Sequence, residues 1–176
     1  MTTREAIAVE PLDEAVDHVR GGPGEHLILE YGDYECPYSR AAYRQILRVQ
    51  RHAVPGVRVA FRHYPLSAIH PHALAASAAA EAAALQDRFW PMHDLLFQRQ
   101  TALDDSDLRG YAAGLNLDVA RFDIDRESPA VLRRVGRDVE SGLASGQVQG
   151  TPTLFIDGVV YRGEYDVWRL LEALER

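Results

Sequence analysis

Lysine is absent from this 176-residue chain, so all 19 Lys/Arg positions are arginine. That excludes Schiff-base catalysis and any phosphate loop that depends on a lysine ammonium. Cysteine occurs once, as Cys36, so no disulfide can close within the chain and any redox chemistry must engage a second molecule. No apolar run approaches the roughly 20 residues of a membrane-spanning helix. The first residues, Met-Thr-Thr-Arg-Glu followed by Pro11, Asp13, Glu14 and Asp17, lack the apolar core of a secretory signal. The expectation is a cytoplasmic protein without membrane insertion. There is no contiguous basic block and the net charge is −7, so nucleic acid is not expected as a partner.

What is present suits one folded domain, or one domain with an insertion: 47% of the residues are apolar, enough for a sizeable core. Residues 1–24 are polar and rich in glycine, and read as an arm with one short helix near Leu12–Val19. Leu27-Ile28-Leu29 is a short buried strand ending in Glu30. Pro37 suits the first turn of a helix, where its missing N–H costs nothing. Ala42, Ile46 and Val49 continue that helix, which should end near Pro55-Gly56. Val57, Val59 and Phe61 alternate with Arg58, Ala60 and Arg62, a second strand.

From Pro71 to about Gly146 the pattern is helical. It contains an Ala-rich segment (Leu74–Leu85), Phe89–Arg99, Ser106–Ala113 and Asp118–Asp125. A last helix has Ser128 as N-cap, Pro129 in its first turn, and Leu132, Val135, Val139 and Leu143 as an apolar stripe. Thr153–Ile156 and Val159–Tyr161 flank Asp157-Gly158, a two-residue hairpin signal. Val167, Leu170, Leu171 and Leu174 mark a final amphipathic helix. The order of strand, helix, strand, helical block, hairpin and helix defines an α/β sheet with an all-helical insertion.

Cys36 falls at the strand-to-helix junction, in Glu35-Cys36-Pro37-Tyr38-Ser39. A lone cysteine is ordinarily a small buried hydrophobe. A thiol at a helix N-terminus, however, faces unpaired backbone N–H groups and the positive end of the helix dipole, and both favour the reactive thiolate. Asp33 and Glu35, if ionised close by, act against that effect.

Leu29-Glu30-Tyr31-Gly32-Asp33-Tyr34-Glu35-Cys36-Pro37-Tyr38 resembles the active-site segment of DsbA-like proteins of the thioredoxin superfamily. Phe61-Arg62-His63-Tyr64-Pro65-Leu66 with His70-Pro71-His72, Phe89-Trp90-Pro91-Met92-His93-Asp94-Leu95-Leu96-Phe97, and Gly150-Thr151-Pro152-Thr153-Leu154-Phe155 resemble three further segments of that family, in family order. Asp17-His18-Val19-Arg20-Gly21 is similar to the lead-in of cytoplasmic DsbA-like domains fused to some sodium/proton antiporters. The resemblance covers roughly residues 17–176. It implies a thioredoxin fold with an all-helical insertion before the cis-proline strand. Residues 1–24 would be the arm, 25–66 and 147–176 the thioredoxin-like domain, and 67–146 the insertion. It also implies a catalytic group of Cys36, Pro37, Tyr38 and Glu30, and a cis Thr151-Pro152 bond that binds an extended substrate by strand-like pairing. Glu30 matches an acidic position under the family's active site; the residues alone fit equally a solvated strand-end carboxylate.

Ser39 departs from the pattern, because the family's second cysteine belongs there. A serine hydroxyl cannot attack a mixed disulfide as a resolving thiol does. Three readings stand: a monothiol enzyme completed by glutathione or another small thiol, a domain without redox turnover, and a Cys-to-Ser form of an ordinary dithiol enzyme. The leading expectation is a thiol-disulfide oxidoreductase without a bound cofactor, acting on protein disulfides or glutathione mixed disulfides. Its rivals are a peptide or small-thiol binding module, and an iron–sulfur cluster shared through glutathione between two monomers. His63, His70, His72 and His93 match no strong zinc spacing, so no metal site is assigned. Phe89, Trp90 and Phe97 read as insertion core, and Asp104, Asp105, Ser106 and Asp107 as helix capping.

Overall fold

The computed structural model describes residues 9–22, 24–52 and 56–175. Five strands form one sheet: β1 (His18–Arg20), β2 (Leu27–Gly32), β3 (Arg58–His63), β4 (Thr153–Ile156) and β5 (Val159–Tyr161). Their spatial order is β1-β3-β2-β4-β5. Among the described strands, only β2 and β3 run parallel. The crossover that parallel strands require is supplied by α1 (Pro37–His52). The remaining pairings are antiparallel.

The short helix expected near Leu12–Val19 does not form. Residues 14–16 make a turn, Asp17 Oδ2 accepts the Asp13 N–H at 2.8 Å, and His18–Arg20 joins the sheet beside β3. β2 continues past Glu30 to Gly32, so Glu30 is interior to its strand. α1 closes at His52, and Pro55 lies outside the described residues. The Asp157-Gly158 hairpin forms with both central residues at positive φ, 49° and 83°, as a primed turn requires.

Strand periodicity sends alternate residues of β2 to opposite faces. Ile28 packs in one cluster with Ile46 and Val49 of α1 and Leu170 and Leu174 of α7 (Val167–Leu174). Leu29 and Tyr31 pack on the opposite face with Ala60, Phe155 and Val148. A third cluster joins Phe61 and Tyr43 to the insertion: α2 (Ala73–Ala84), α3 (Phe89–Gln98), α4 (Asp105–Gly114) and α5 (Val119–Arg126). Phe89 and Phe97 are buried within it, with Trp90 against its edge.

In β3 the alternation does not divide buried from exposed residues: Ala60 and Arg62 are fully buried, and Val59 and Phe61 are buried too. The cause is α6 (Pro129–Ala144), which covers the face of Ala60 and Arg62, and a bidentate ion pair that lets Arg62 remain inside. The guanidinium of Arg62 donates to Asp17 Oδ1 at 2.9 Å and Oδ2 at 2.8 Å, and also to the Tyr31 hydroxyl at 2.9 Å. The carbonyls of Glu10 and Pro11 take its remaining N–H groups. Burial alone would raise the Asp17 carboxyl, but the hydrogen bonds from Arg62 outweigh it and hold the group below its ordinary value.

The stripe expected on α6 is rotated for the same reason. Leu132 and Leu143 are exposed, while Asp138 and Ser141 are buried with Val131 and Val135. Asp138 accepts the His63 N–H at 2.9 Å, and Ser141 meets the Tyr31 hydroxyl at 2.8 Å. Polar satisfaction at β3, rather than apolar spacing, selects the inward face. Ser128 caps this helix through the Val131 N–H, and Asp104 caps α4 with its own N–H donating to Asp107.

Replacing Asp17 by alanine leaves a buried guanidinium without its counter-ion, which should cost about 3–5 kcal/mol in urea unfolding. Glu14→Ala, which removes a mostly exposed partner of Arg58, should cost less than about 1 kcal/mol.

Candidate active site

Cys36 stands immediately before α1 and is 3% exposed. Its N–H donates to the Asp33 carbonyl at 3.1 Å, and its own carbonyl accepts the Arg40 N–H, which carries the chain into the helix. Its thiol donates to the Thr151 carbonyl at 3.3 Å. The Thr151–Pro152 peptide is cis, and β4 begins at the next residue, so this carbonyl is delivered to the sulfur by the strand that pairs with β2. The Pro152 carbonyl accepts the Tyr165 hydroxyl at 3.1 Å. The Thr151 hydroxyl oxygen is buried without a partner. Pro37 and Tyr38 are exposed, Tyr38 at 72%.

Ser39 is fully buried, and its hydroxyl accepts the Asp33 N–H at 3.2 Å. Position 39 therefore fastens the loop ahead of the sulfur. Asp33 and Glu35, expected to act against the thiolate, are both engaged elsewhere. Asp33 Oδ1 accepts the Glu35 N–H at 2.8 Å, while Oδ2 accepts the Leu66 N–H at 2.9 Å and faces His70 Nδ1 at 2.8 Å. Glu35 accepts both the N–H and the Nδ1 of His72, at 2.7 and 2.8 Å. The hydrogen bond to Glu35 raises the His72 imidazole above its ordinary value, with Asp104 adding to the effect. Gln100, which no sequence signal marked, donates from one Nε2 to the carbonyls of Tyr34 and Cys36, each at 2.8 Å.

Glu30 lies beneath this loop in β2, on the face that carries α1 and α7, and is 2% exposed. Its Oε1 is buried without a partner. A Cβ at Gly32 would sit 3.0 Å from that oxygen and 2.5 Å from the Phe61 ring, so only glycine leaves room. Burial raises the Glu30 carboxyl to about 8, with the charge of Arg20 opposing the shift. Glu30 is thus mainly protonated at neutral pH and can hold or release one proton inside the sheet.

The histidines disperse. His70 and His72 bind the loop carboxylates, and His93 meets the Tyr34 hydroxyl at 2.9 Å. Burial lowers His93 well below its ordinary value. His63 and His18 each direct Nε2 at Glu81 Oε1, at 2.7 and 2.8 Å. These three side chains come within 4.8 Å of one another. Burial alone would raise Glu81, but the hydrogen bonds from His18 and His63 hold its carboxyl well below the usual range. The Arg134 guanidinium lies 3.9 Å from the same oxygen. The arrangement is that of a carboxylate satisfied by imidazoles.

A cysteine at a helix start, facing the carbonyl before a cis-proline and flanked by a helical insertion, defines a thioredoxin-fold protein. The chain belongs to the family whose model is described as "Thioredoxin", matched over residues 15–176. It is 45% identical over 166 residues to a Na(+)/H(+) antiporter NhaA of Herminiimonas arsenicoxydans, covering 94% of this chain and 26% of that protein. It is 42% identical over 170 residues to Na(+)/H(+) antiporter NhaA 1 of Mycolicibacterium gilvum, covering 95% of this chain and 27% of that protein. The chain thus spans about a quarter of the length of these curated relatives. Among solved structures it is similar to a thioredoxin-like oxidoreductase from Silicibacter pomeroyi, with a TM-score of 0.81, 24% identity and coverage of 99% and 97% of the two chains. It is also similar to oxidised BdbD from Bacillus subtilis, with a TM-score of 0.80, 20% identity and coverage of 98% and 97%. Among the described residues, no helix is long and apolar enough to cross a membrane.

The raised Glu30 group makes stability depend on pH. Between 4.5, its ordinary value, and about 8, the unfolded chain ionises Glu30 while the folded chain keeps it protonated. The folded state binds the extra proton, so this contribution falls as pH rises, by about 1.4 kcal/mol per pH unit. Glu30→Gln should remove that slope and raise stability at pH 8 relative to the parent, as read from urea unfolding across the pH range.

Proposed function

We propose that this chain carries out thiol-disulfide exchange through one sulfur, Cys36. The observation that carries the reading is the pairing of Cys36 Sγ, at the start of α1, with the Thr151 carbonyl 3.3 Å away beside a cis-proline. An extended peptide lying along residues 151–152 brings its own sulfur to Cys36. The thiolate attacks one sulfur of a protein disulfide or a glutathione mixed disulfide. An Sγ–S bond forms, the substrate S–S bond breaks, and the departing sulfur takes up the proton that Cys36 gives up. Glu30, protonated at neutral pH within the same sheet, is a local source and sink for that proton. Ser39 cannot complete the cycle, so a second thiol, glutathione or another small thiol, attacks the mixed disulfide and regenerates Cys36. No resident cofactor is needed. We read the setting as cytoplasmic, where reduced small thiols are abundant. The oxidoreductases among the structural neighbours support the fold on which this reading rests.

Oxidised glutathione should give an adduct of one glutathione per chain, stable on the intact protein and removed by dithiothreitol in intact-mass spectrometry. Ser39→Cys should shorten the adduct lifetime at least about tenfold, since the new thiol lies one helical turn away and attacks intramolecularly. Absence of an adduct on the folded protein rejects the exchange reading in favour of a binding module.

A further inference from the structure

α1 carries charge of one sign only. Its 16 residues contain no Asp or Glu, in a chain with 26 acidic residues. Arg40, Arg44, Arg48 and Arg51 recur at helical spacing, so they fall within about 80° of the helix circumference. They line one groove of about 370 Å³ whose apolar wall includes Leu47 and Phe97. Several arginines elsewhere, such as Arg62, Arg126 and Arg134, are paired with carboxylates. Among the described residues, Arg40, Arg44, Arg48 and Arg51 are not; Arg88, Arg99, Arg133 and Arg162 also lack such a partner but do not share one helix face with them. Arg40 donates to the Gln98 carbonyl and Arg48 to the Gln45 side chain, both neutral acceptors. The Arg40 Nε is buried with no acceptor. Arg44, Arg48 and Arg51 are exposed.

Helix stability does not account for the stripe. Cations complement the dipole at a helix C-terminus, which suits Arg48 and Arg51, but Arg40 and Arg44 stand in the N-terminal half, where they oppose it. Desolvation of the four guanidinium groups is not the explanation either, because three of them point to solvent. What the stripe does have is position. Arg40 lies one turn after Cys36, its N–H bonded to the Cys36 carbonyl, and the row runs about 22 Å from the sulfur along the helix.

We propose that this groove binds an acidic segment of the protein that exchanges disulfides with Cys36, so that the preferred substrates carry several carboxylates next to the reacting cysteine. The inference rests on the exchange reading above. A short acidic peptide fits better than a nucleic acid or an anionic membrane, because a broad anionic surface also meets the rest of a chain whose overall net charge is −7. The carboxylates would take bidentate hydrogen bonds from the guanidinium forks, and the aliphatic parts of the segment would cover the partly buried Leu47.

The test uses two peptides of equal length in which cysteine is followed by four Glu or by four Gln, each joined through its sulfur to 2-thiopyridine. Attack by Cys36 forms the Sγ–peptide disulfide, breaks the peptide–thiopyridine bond and releases thiopyridone, which takes the proton and is read by absorbance. At low salt the Glu peptide should react about tenfold faster than the Gln peptide, and high salt should erase the difference. Arg44→Ser combined with Arg48→Ser and Arg51→Ser should bring the rate ratio to about one. Equal rates with the parent protein, or a preference that survives the triple substitution, overturn the proposal. If neither peptide reacts, the exchange reading fails, and the groove is decided separately by fluorescence anisotropy of a labelled Glu peptide on Cys36→Ser protein. Salt-sensitive binding lost in the triple variant upholds it, and no binding overturns it. Retention on vesicles of anionic phospholipid without peptide binding assigns the stripe to a lipid headgroup instead and likewise overturns it.

Discussion

The candidate site depends on one buried carboxylate. Asp33 receives the Glu35 N–H, the Leu66 N–H and the His70 ring, while its backbone takes the Cys36 N–H and donates to the Ser39 hydroxyl. Those bonds fix the loop between β2 and α1 and tie it to the segment that follows β3. Without them the helix would still form, because Pro37 starts it and Ala42, Ile46 and Val49 bury it, but nothing would define where the sulfur sits. Gln100 adds a second tie from beyond α3 through the Tyr34 and Cys36 carbonyls. With the Thr151 carbonyl facing the sulfur, the active-site loop is therefore held from three separate parts of the chain, which makes the position of Cys36 a property of the whole fold.

The same sheet solves two opposed polar problems. On the face under α6, Arg62 enters the core with a complete set of acceptors and stays charged. On the face under α1 and α7, Glu30 enters with an oxygen left unpaired and is neutral for that reason. A charged and satisfied group is structural ballast, whereas a buried carboxyl without a partner changes protonation near neutral pH. The contrast separates a buried ion pair that stays charged from a buried carboxyl that is held neutral.

The elements were legible wherever one local signal ruled. Pro37 and Ser128-Pro129 marked helix starts, Asp157-Gly158 marked the hairpin, and the Cys36 junction with Thr151-Pro152 marked the site. The sequence misled where long-range polar pairing competed with periodicity. The short helix expected near Leu12–Val19 gives way to a turn and to strand His18–Arg20, because pairing with β3 and the Asp17–Arg62 bond hold the arm against the sheet. Leu132 and Leu143 complete an apolar stripe on paper, yet Asp138 must face inward to meet the His63 N–H. Gln100 and the histidine partners of Asp33 and Glu35 could not be found, since each lies more than 30 residues from the group it binds. The Asx turn from Asp33 to the Glu35 N–H was the one local clue available. The arginine stripe was missed as a basic feature because its members are spaced along a helix and never adjacent.

If the fold makes Cys36 a nucleophile rather than merely burying it, folding must speed its reaction. The test compares the rate at which Cys36 reacts with neutral dipyridyl disulfide in the folded protein and in the same protein unfolded in urea, at equal pH. A faster reaction is expected in the folded state, even though Cys36 is only 3% exposed there. A slower reaction in the folded state, as an inert buried thiol gives, would contradict a nucleophilic role.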